Sequence, residues 1–196
     1  MKKAAVFGMF TALVIVAFAG SCKTAEFGFK VIDINGMVYD FSNRPIPFYE
    51  VTLGQKYRGS TDINGRFTLQ KVPVGVYAIT GNKNGYEDYL DEVIIREKGQ
   101  IIYIRVPSQN QLLNLVDDYL TANNFILAEE MAERAYRIDK NNIEALLYYA
   151  TTMFRLKDYG MAVSFLEAAV NLGSKDIYIN KFLSILKELN NEEKTN

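Results

Sequence analysis

Pro107 divides two periodicities that cannot belong to one kind of fold. Between Gly28 and Val106, β-branched and aromatic residues come in short runs. Gly, Asn, Asp or Pro interrupt those runs about every ten residues, which is the texture of strands and turns. Between Ser108 and Leu189 there is no proline, only two glycines occur, and apolar residues recur at three- and four-residue spacing. That spacing places them on one face of successive helices. A chain of 196 residues, 49% of them apolar, is long enough for two small cores. The expected plan is an all-β module over 28–107 followed by an all-α module over 108–190, with a polar tail at 191–196.

The β pattern opens at Gly36-Met37-Val38-Tyr39-Asp40 and runs through Arg44-Pro45-Ile46 and Glu50-Val51-Thr52-Leu53. It continues through Thr61-Asp62-Ile63-Asn64-Gly65-Arg66-Phe67-Thr68-Leu69, Val72-Pro73-Val74-Gly75-Val76-Tyr77 and Gly85-Tyr86. Two late strands are expected at 92–96 and 100–106. Asn64-Gly65 is the strongest hairpin signal in the chain, because a type I′ turn needs positive φ at both central residues. Phe67 and Leu69 alternate with Arg66 and Thr68, which gives a buried and a wet face. Asp62-Ile63-Asn64-Gly65 also opens like a calcium loop. An EF-hand needs a glutamate at its twelfth position, and that position here is Pro73, so the segment reads as a structural turn.

In the order and spacing of these motifs, residues 35–106 resemble the carboxypeptidase regulatory-like domains. The resemblance implies a Greek-key, transthyretin-like sandwich of about seven strands that serves as a spacer or binding platform and supplies no catalytic residues. Related sandwiches bind glycans through exposed aromatics, and Tyr57, Tyr86 and Tyr89 are the candidates for such contacts here.

Set against itself at an offset of 34, the second module aligns Phe125 with Tyr159, Ala128 with Ala162 and Ala135 with Ala169. Paired antiparallel helices with that period resemble tetratricopeptide repeats. Alanines permit close helix crossings, while Leu115, Tyr119, Leu146, Tyr149, Met153, Phe165 and Leu166 fill the space between hairpins. Helices are expected over 109–121, 125–138, 143–156, 159–172 and 176–190, the last as a solvating cap. Ser108 with Gln111, and Asn141 with Glu144, have the spacing of capping boxes, and Asp158 is placed to cap the helix opening at Tyr159. The family's tryptophan is absent, and Val116 and Ala150 occupy its small glycine position. Lys140 and Ser174 stand where it has proline. Two repeats are fewer than such arrays usually need for independent stability. The module is therefore expected to lean on the sandwich, on a second copy of itself, or on a partner.

The first 21 residues have the layout of a secretory leader. Lys2 and Lys3 are followed by a nearly unbroken apolar run from Ala4 to Ala19 and by small residues, Ala19-Gly20-Ser21, just before Cys22. The segment resembles bacterial lipoprotein signal peptides, although Ala19 and Gly20 replace the commonest leucine and alanine or serine. The resemblance implies cleavage before Cys22, acylation of its sulfur including a palmitate-type chain, and a lipidated tether over 22–27. Two or more acyl chains hold a protein stably to a bilayer. Loss of residues 1–21 leaves 20 Lys and Arg against 23 Asp and Glu, so attraction to anionic lipid is not the anchor. The expected location is a cell envelope, on an outer membrane or a periplasmic face.

Composition narrows the chemistry further. The chain has no histidine and one cysteine, Cys22, which removes the commonest general base, thiolate zinc sites and intrachain disulfides. No basic stripe suggests nucleic acid. No G-x-S-x-G or glycine-rich phosphate loop occurs. Paired acids such as Asp117-Asp118 and Glu129-Glu130 read as solvated helix faces. No catalytic residue, cofactor or metal is therefore expected. Tyr148 and Tyr149 are 100° apart on one helix and cannot face the same core, so one of them, with Tyr119, is a candidate partner contact. The expected role is a membrane-anchored, non-catalytic adaptor for another envelope protein, working through the helical module. The alternative is a carbohydrate- or peptidoglycan-binding surface lipoprotein working through the sandwich.

Overall fold

The structure is a computed structural model that describes residues 30–174 and 177–195. Cys22 and the leader lie outside the described residues. Seven strands, β1 (Val31–Tyr39), β2 (Glu50–Leu53), β3 (Tyr57–Ser60), β4 (Arg66–Pro73), β5 (Gly75–Asn82), β6 (Tyr89–Ile95) and β7 (Ile101–Arg105), precede five helices. The helices are α1 (Gln109–Thr121), α2 (Phe125–Ile138), α3 (Ile143–Arg155), α4 (Tyr159–Asn171) and α5 (Ile177–Thr195).

The strands form two facing sheets, ordered β4-β1-β7 and β3-β2-β5-β6. All neighbours are antiparallel except β1 and β7, which pair in parallel from Asn35↔Ile101 to Tyr39↔Arg105. Alternation does the sorting. Ile32, Ile34, Val38, Phe67, Leu69, Ile102 and Ile104 point inward from the first sheet, and Val51, Leu53, Ile79 and Ile95 meet them from the second. Ile46 and Tyr49, on the connection between β1 and β2, complete this core and are wholly buried.

Two features differ from the sequence expectation. β1 begins at Val31, five residues before Gly36. The Asn64-Gly65 turn is not type I′, because only Gly65 (φ 73°) is left-handed. The Asp62 carboxylate organises the turn instead, accepting the Asn64 and Arg66 N–H groups at 2.8 and 2.9 Å. The turn also joins strands of opposite sheets, β3 and β4, so it is a corner of the sandwich and not a hairpin within one sheet. β4 carries a bulge opposite Ile32 and Ile34, where Lys71 is left-handed (φ 53°) and gives its N–H to Asp33 at 2.9 Å.

The helices pair as α1 with α2 and α3 with α4, and α5 lies on α4. Ala128, Ala132, Ala135, Ala145, Ala150, Ala162 and Ala169 have no exposed surface, as crossings too tight for larger side chains require. Ser108 closes the expected capping box with Gln111, and Asp158 accepts the Met161 N–H. The α3 cap is Asn142, one residue beyond the expected Asn141. Its Oδ1 accepts the Ala145 N–H at 2.9 Å, whereas Asn141 gives its own N–H to Asp139. α5 runs to Thr195, five residues beyond the expected end.

Only Val106, Pro107 and Ser108 separate the last strand from the first helix, and Val106 and Pro107 are buried. The loop between β5 and β6 clasps that junction. Gly85 O accepts the Gln109 N–H at 2.9 Å, Pro107 O accepts the Glu87 N–H at 3.1 Å, and Tyr86 bridges to Ser108. The two modules are thus joined without a flexible linker.

Candidate functional site

Two surfaces bring together residues singled out in the sequence. The first lies where α1 meets α3. Tyr148 is half-buried there, close to Asp117 on α1. Burial, with the Asp117 and Glu144 carboxylates, raises the Tyr148 phenol above its ordinary range. Tyr148 therefore stays a neutral donor in an acidic setting.

Tyr149 points the other way. It is 8% exposed and stacks on Phe165 of α4, with ring centroids 4.2 Å apart and planes 22° apart. Tyr136 of α2 meets both rings edge-on, at 6.0 and 5.4 Å. Tyr149 is thus a core residue between hairpins and is not available to a partner. Tyr119 is half-buried against the same core. Of the three candidate contacts, Tyr119 and Tyr148 are both partly exposed and packed in part against the helical core, and Tyr148 lies beside the Asp117 and Glu144 carboxylates.

The second surface is a cleft of about 870 Å3 at the seam between the modules. Its sandwich wall is the loop after β5 and the start of β6, and its helical wall is Arg134, Arg137 and Ile138 of α2. The wall positions are fixed by a forked ion pair: Arg134 Nε and Nη2 reach the Glu87 carboxylate at 2.8 and 2.7 Å. That bond raises the Arg134 pKa further above its ordinary value. Such two-point pairing sets orientation as well as distance. Lys83 gives a hydrogen bond to Pro47 O and lies 5.6 Å from the Tyr86 ring centre.

Tyr86 and Tyr89 both line this cleft. The Tyr89 hydroxyl bonds Asp91 at 3.0 Å, and burial together with that bond pushes its pKa up to about 12. Tyr57 does not join them. It meets Tyr77 edge-on at 6.1 Å, on β3 at the opposite edge of the sheet from β6. The sequence did not point to Arg134, Arg137, Asn82 or Asn84 as neighbours of these tyrosines. The repeat offset placed Arg134 and Arg137 on a helix, and only the packing of that helix on the sandwich shows what they face.

Among the described residues, no cluster of His, Cys, Asp or Glu is placed to hold a metal ion, and no helix is long and apolar enough to cross a membrane.

No curated protein matches the chain in sequence. Solved structures match part of the chain at low identity. A type II cohesin–X-dockerin complex of Acetivibrio cellulolyticus is 18% identical over 41% of this chain and 60% of its own, with a TM-score of 0.35. The first TPR of Spaghetti (RPAP3), bound to an HSP90 peptide, is 16% identical over 41% of this chain and 64% of its own, with a TM-score of 0.40. The first TPR domain of human RPAP3 is 15% identical over 44% and 68%, with a TM-score of 0.42. The chain spans less than two thirds of the length of the first two of these. The model of the carboxypeptidase regulatory-like domain matches residues 33–104. That span runs from β1 through β7, so it is the sandwich, and not the whole chain, that this match places among the carboxypeptidase regulatory-like domains.

Proposed function

We propose that the protein is a lipid-anchored adaptor of a bacterial cell envelope, without catalysis of its own, whose helical module holds another protein. The carrying observation is the division of labour between adjacent tyrosines on α3. Tyr149 closes the core, while Tyr148 is left partly exposed beside Asp117 and Glu144, where an incoming chain can meet both an aromatic ring and carboxylates. The rigid junction at Pro107 supports the same reading. The sandwich presents the helices at a fixed angle, so an anchor before the sandwich would carry the two modules as one unit.

The anchor is Cys22, acylated after cleavage of residues 1–21. The test is metabolic labelling with an alkyne fatty acid, in the wild type and in Cys22→Ala, followed by purification of cross-linked partners. Label on the wild type alone, with one co-purifying envelope protein, is the expected result. An unlabelled wild type removes the anchor. Turnover of a substrate by the purified chain removes the non-catalytic role.

A further inference from the structure

The seam cleft has a chemistry that the adaptor role does not use. Pockets of a few hundred to a thousand Å3 between modules are the usual places for small ligands, and this one, at about 870 Å3, is within that range. Its walls are held before any ligand arrives, by the Glu87–Arg134 fork and by the backbone bonds from Gly85 and Pro107. Preorganisation of this kind lowers the cost of ordering a site on binding.

The lining selects among ligand classes. Asn82, Asn84 and Tyr86 each offer both a donor and an acceptor, the Tyr89 hydroxyl already gives its proton to Asp91, and only Leu90 and Ile138 are aliphatic. An apolar ligand would strand those polar groups without water. A small anion needs converging free cations. Here Arg134 is matched by Glu87, and Asp88 shares the wall with Lys83. An extended peptide would pair along several residues of a free strand edge, and of the edge strand β6 only Tyr89 and Leu90 reach the cleft. A ligand rich in hydroxyls, each donating and accepting, fits the set.

We propose that the seam cleft binds a short oligosaccharide, with Asn82, Asn84 and Asp88 taking its hydroxyls and Arg137 at the mouth. Arg137 suits that position. Its side chain is 62% exposed, and its ion-pair partner, Glu133, stands 3.7 Å away, so the guanidinium can turn toward a hydroxyl or a sugar carboxylate. The site needs both modules, since the sandwich alone supplies only one wall.

The test uses the full chain in detergent, titrated by calorimetry with chitotriose, maltotriose, cellotriose and trigalacturonate, and with tetraglutamate as a carboxylate-only probe. At least one trisaccharide should bind with a Kd at or below the millimolar range. Asn84→Ala and Arg137→Ala should each weaken it by about tenfold, the loss of one or two hydrogen bonds. Both side chains are exposed, so the variants should melt as the wild type does. Tyr57→Ala, remote from the cleft, should bind normally. The proposal is overturned if no trisaccharide binds at about 10 mM, a free energy weaker than about −3 kcal/mol. It is equally overturned if binding is indifferent to the seam variants, or if tetraglutamate binds where the sugars do not.

Discussion

Gly36 and Gly81 each lie beneath an aromatic ring, one in either sheet. A Cβ on Gly36 would sit 2.1 Å from the Phe67 ring, and one on Gly81 would sit 2.3 Å from the Tyr49 ring. Neither glycine has a left-handed φ, so the requirement is space and not backbone freedom. Gly81→Ala should cost about 1–3 kcal/mol through displacement of the wholly buried Tyr49, as overpacked cores do. Chemical denaturation would show it as a lowered midpoint at unchanged slope. Asp40 makes a pH-dependent contribution. Its burial pushes the pKa up, but bonds from the Arg44 and Ser42 N–H groups and the Arg44 guanidinium outweigh that, and the net shift is below 3.8. A carboxylate with a lowered folded pKa stabilises above its unfolded pKa, and that contribution fades as pH falls through the folded one. Asp40→Asn should therefore lower the melting temperature at pH 7 by an amount equivalent to about 1 kcal/mol. The gap to wild type should close as pH falls below 3.8 and through the lowered folded pKa. A gap that stays constant across the titration would contradict this account of the turn. Single residues of this kind were poorly legible in the sequence. Alternation placed Phe67 inward, but nothing in the string of letters said that its ring lies over Gly36.

At the level of elements, the 34-residue offset reaches further than the alanines that revealed it. Ser108 and Asn142 cap α1 and α3, and Asn124 and Asp158 cap α2 and α4, each pair 34 residues apart. The left-handed residues that end α1 and α3, Asn123 and Lys157, repeat the interval. Applied to caps, the offset from Ser108 lands on Asn142. Local spacing favoured Asn141 because Glu144 follows it by three. Geometry decided otherwise, since Asn142 also gives its side-chain N–H to Gln109 at 3.0 Å, and Gln109 in turn bonds Ala135 O at 2.9 Å. One amide thus caps α3 and ties it to α1 and α2. Asn142→Ala should cost about 1–2 kcal/mol, and Asn141→Ala only a few tenths, in paired thermal melts. Equal effects would sink the assignment. The sandwich was legible as strands and turns. Its sheet order was not, because the parallel pairing of β1 with β7 joins strands about sixty residues apart that carry no mutual signal in their sequences.

The whole molecule explains how two repeats persist. The helical module leans on the sandwich through the forked Glu87–Arg134 pair, the Gln111 bond to Ser42 at 2.9 Å, and the clasped Pro107 junction. Arg134→Ala leaves Glu87 without its partner on α2. It should destabilise the helices more than the sandwich, by about 2 kcal/mol, a partly exposed pair being worth less than a buried one. Hydrogen exchange resolved by segment would show faster exchange in α2 with β1 and β4 unchanged. Uniform acceleration would mean that the pair holds the fold as a whole and not the seam. Most directly at stake is the claim that the helices present Tyr148, and not Tyr149, to another protein. Photo-crosslinking in intact cells, with benzoylphenylalanine at position 148 or at position 149 of the full chain, decides it. A discrete adduct with one other protein from 148, and none from 149, is the predicted result. No adduct from 148, or the same adduct from both positions, would contradict the account.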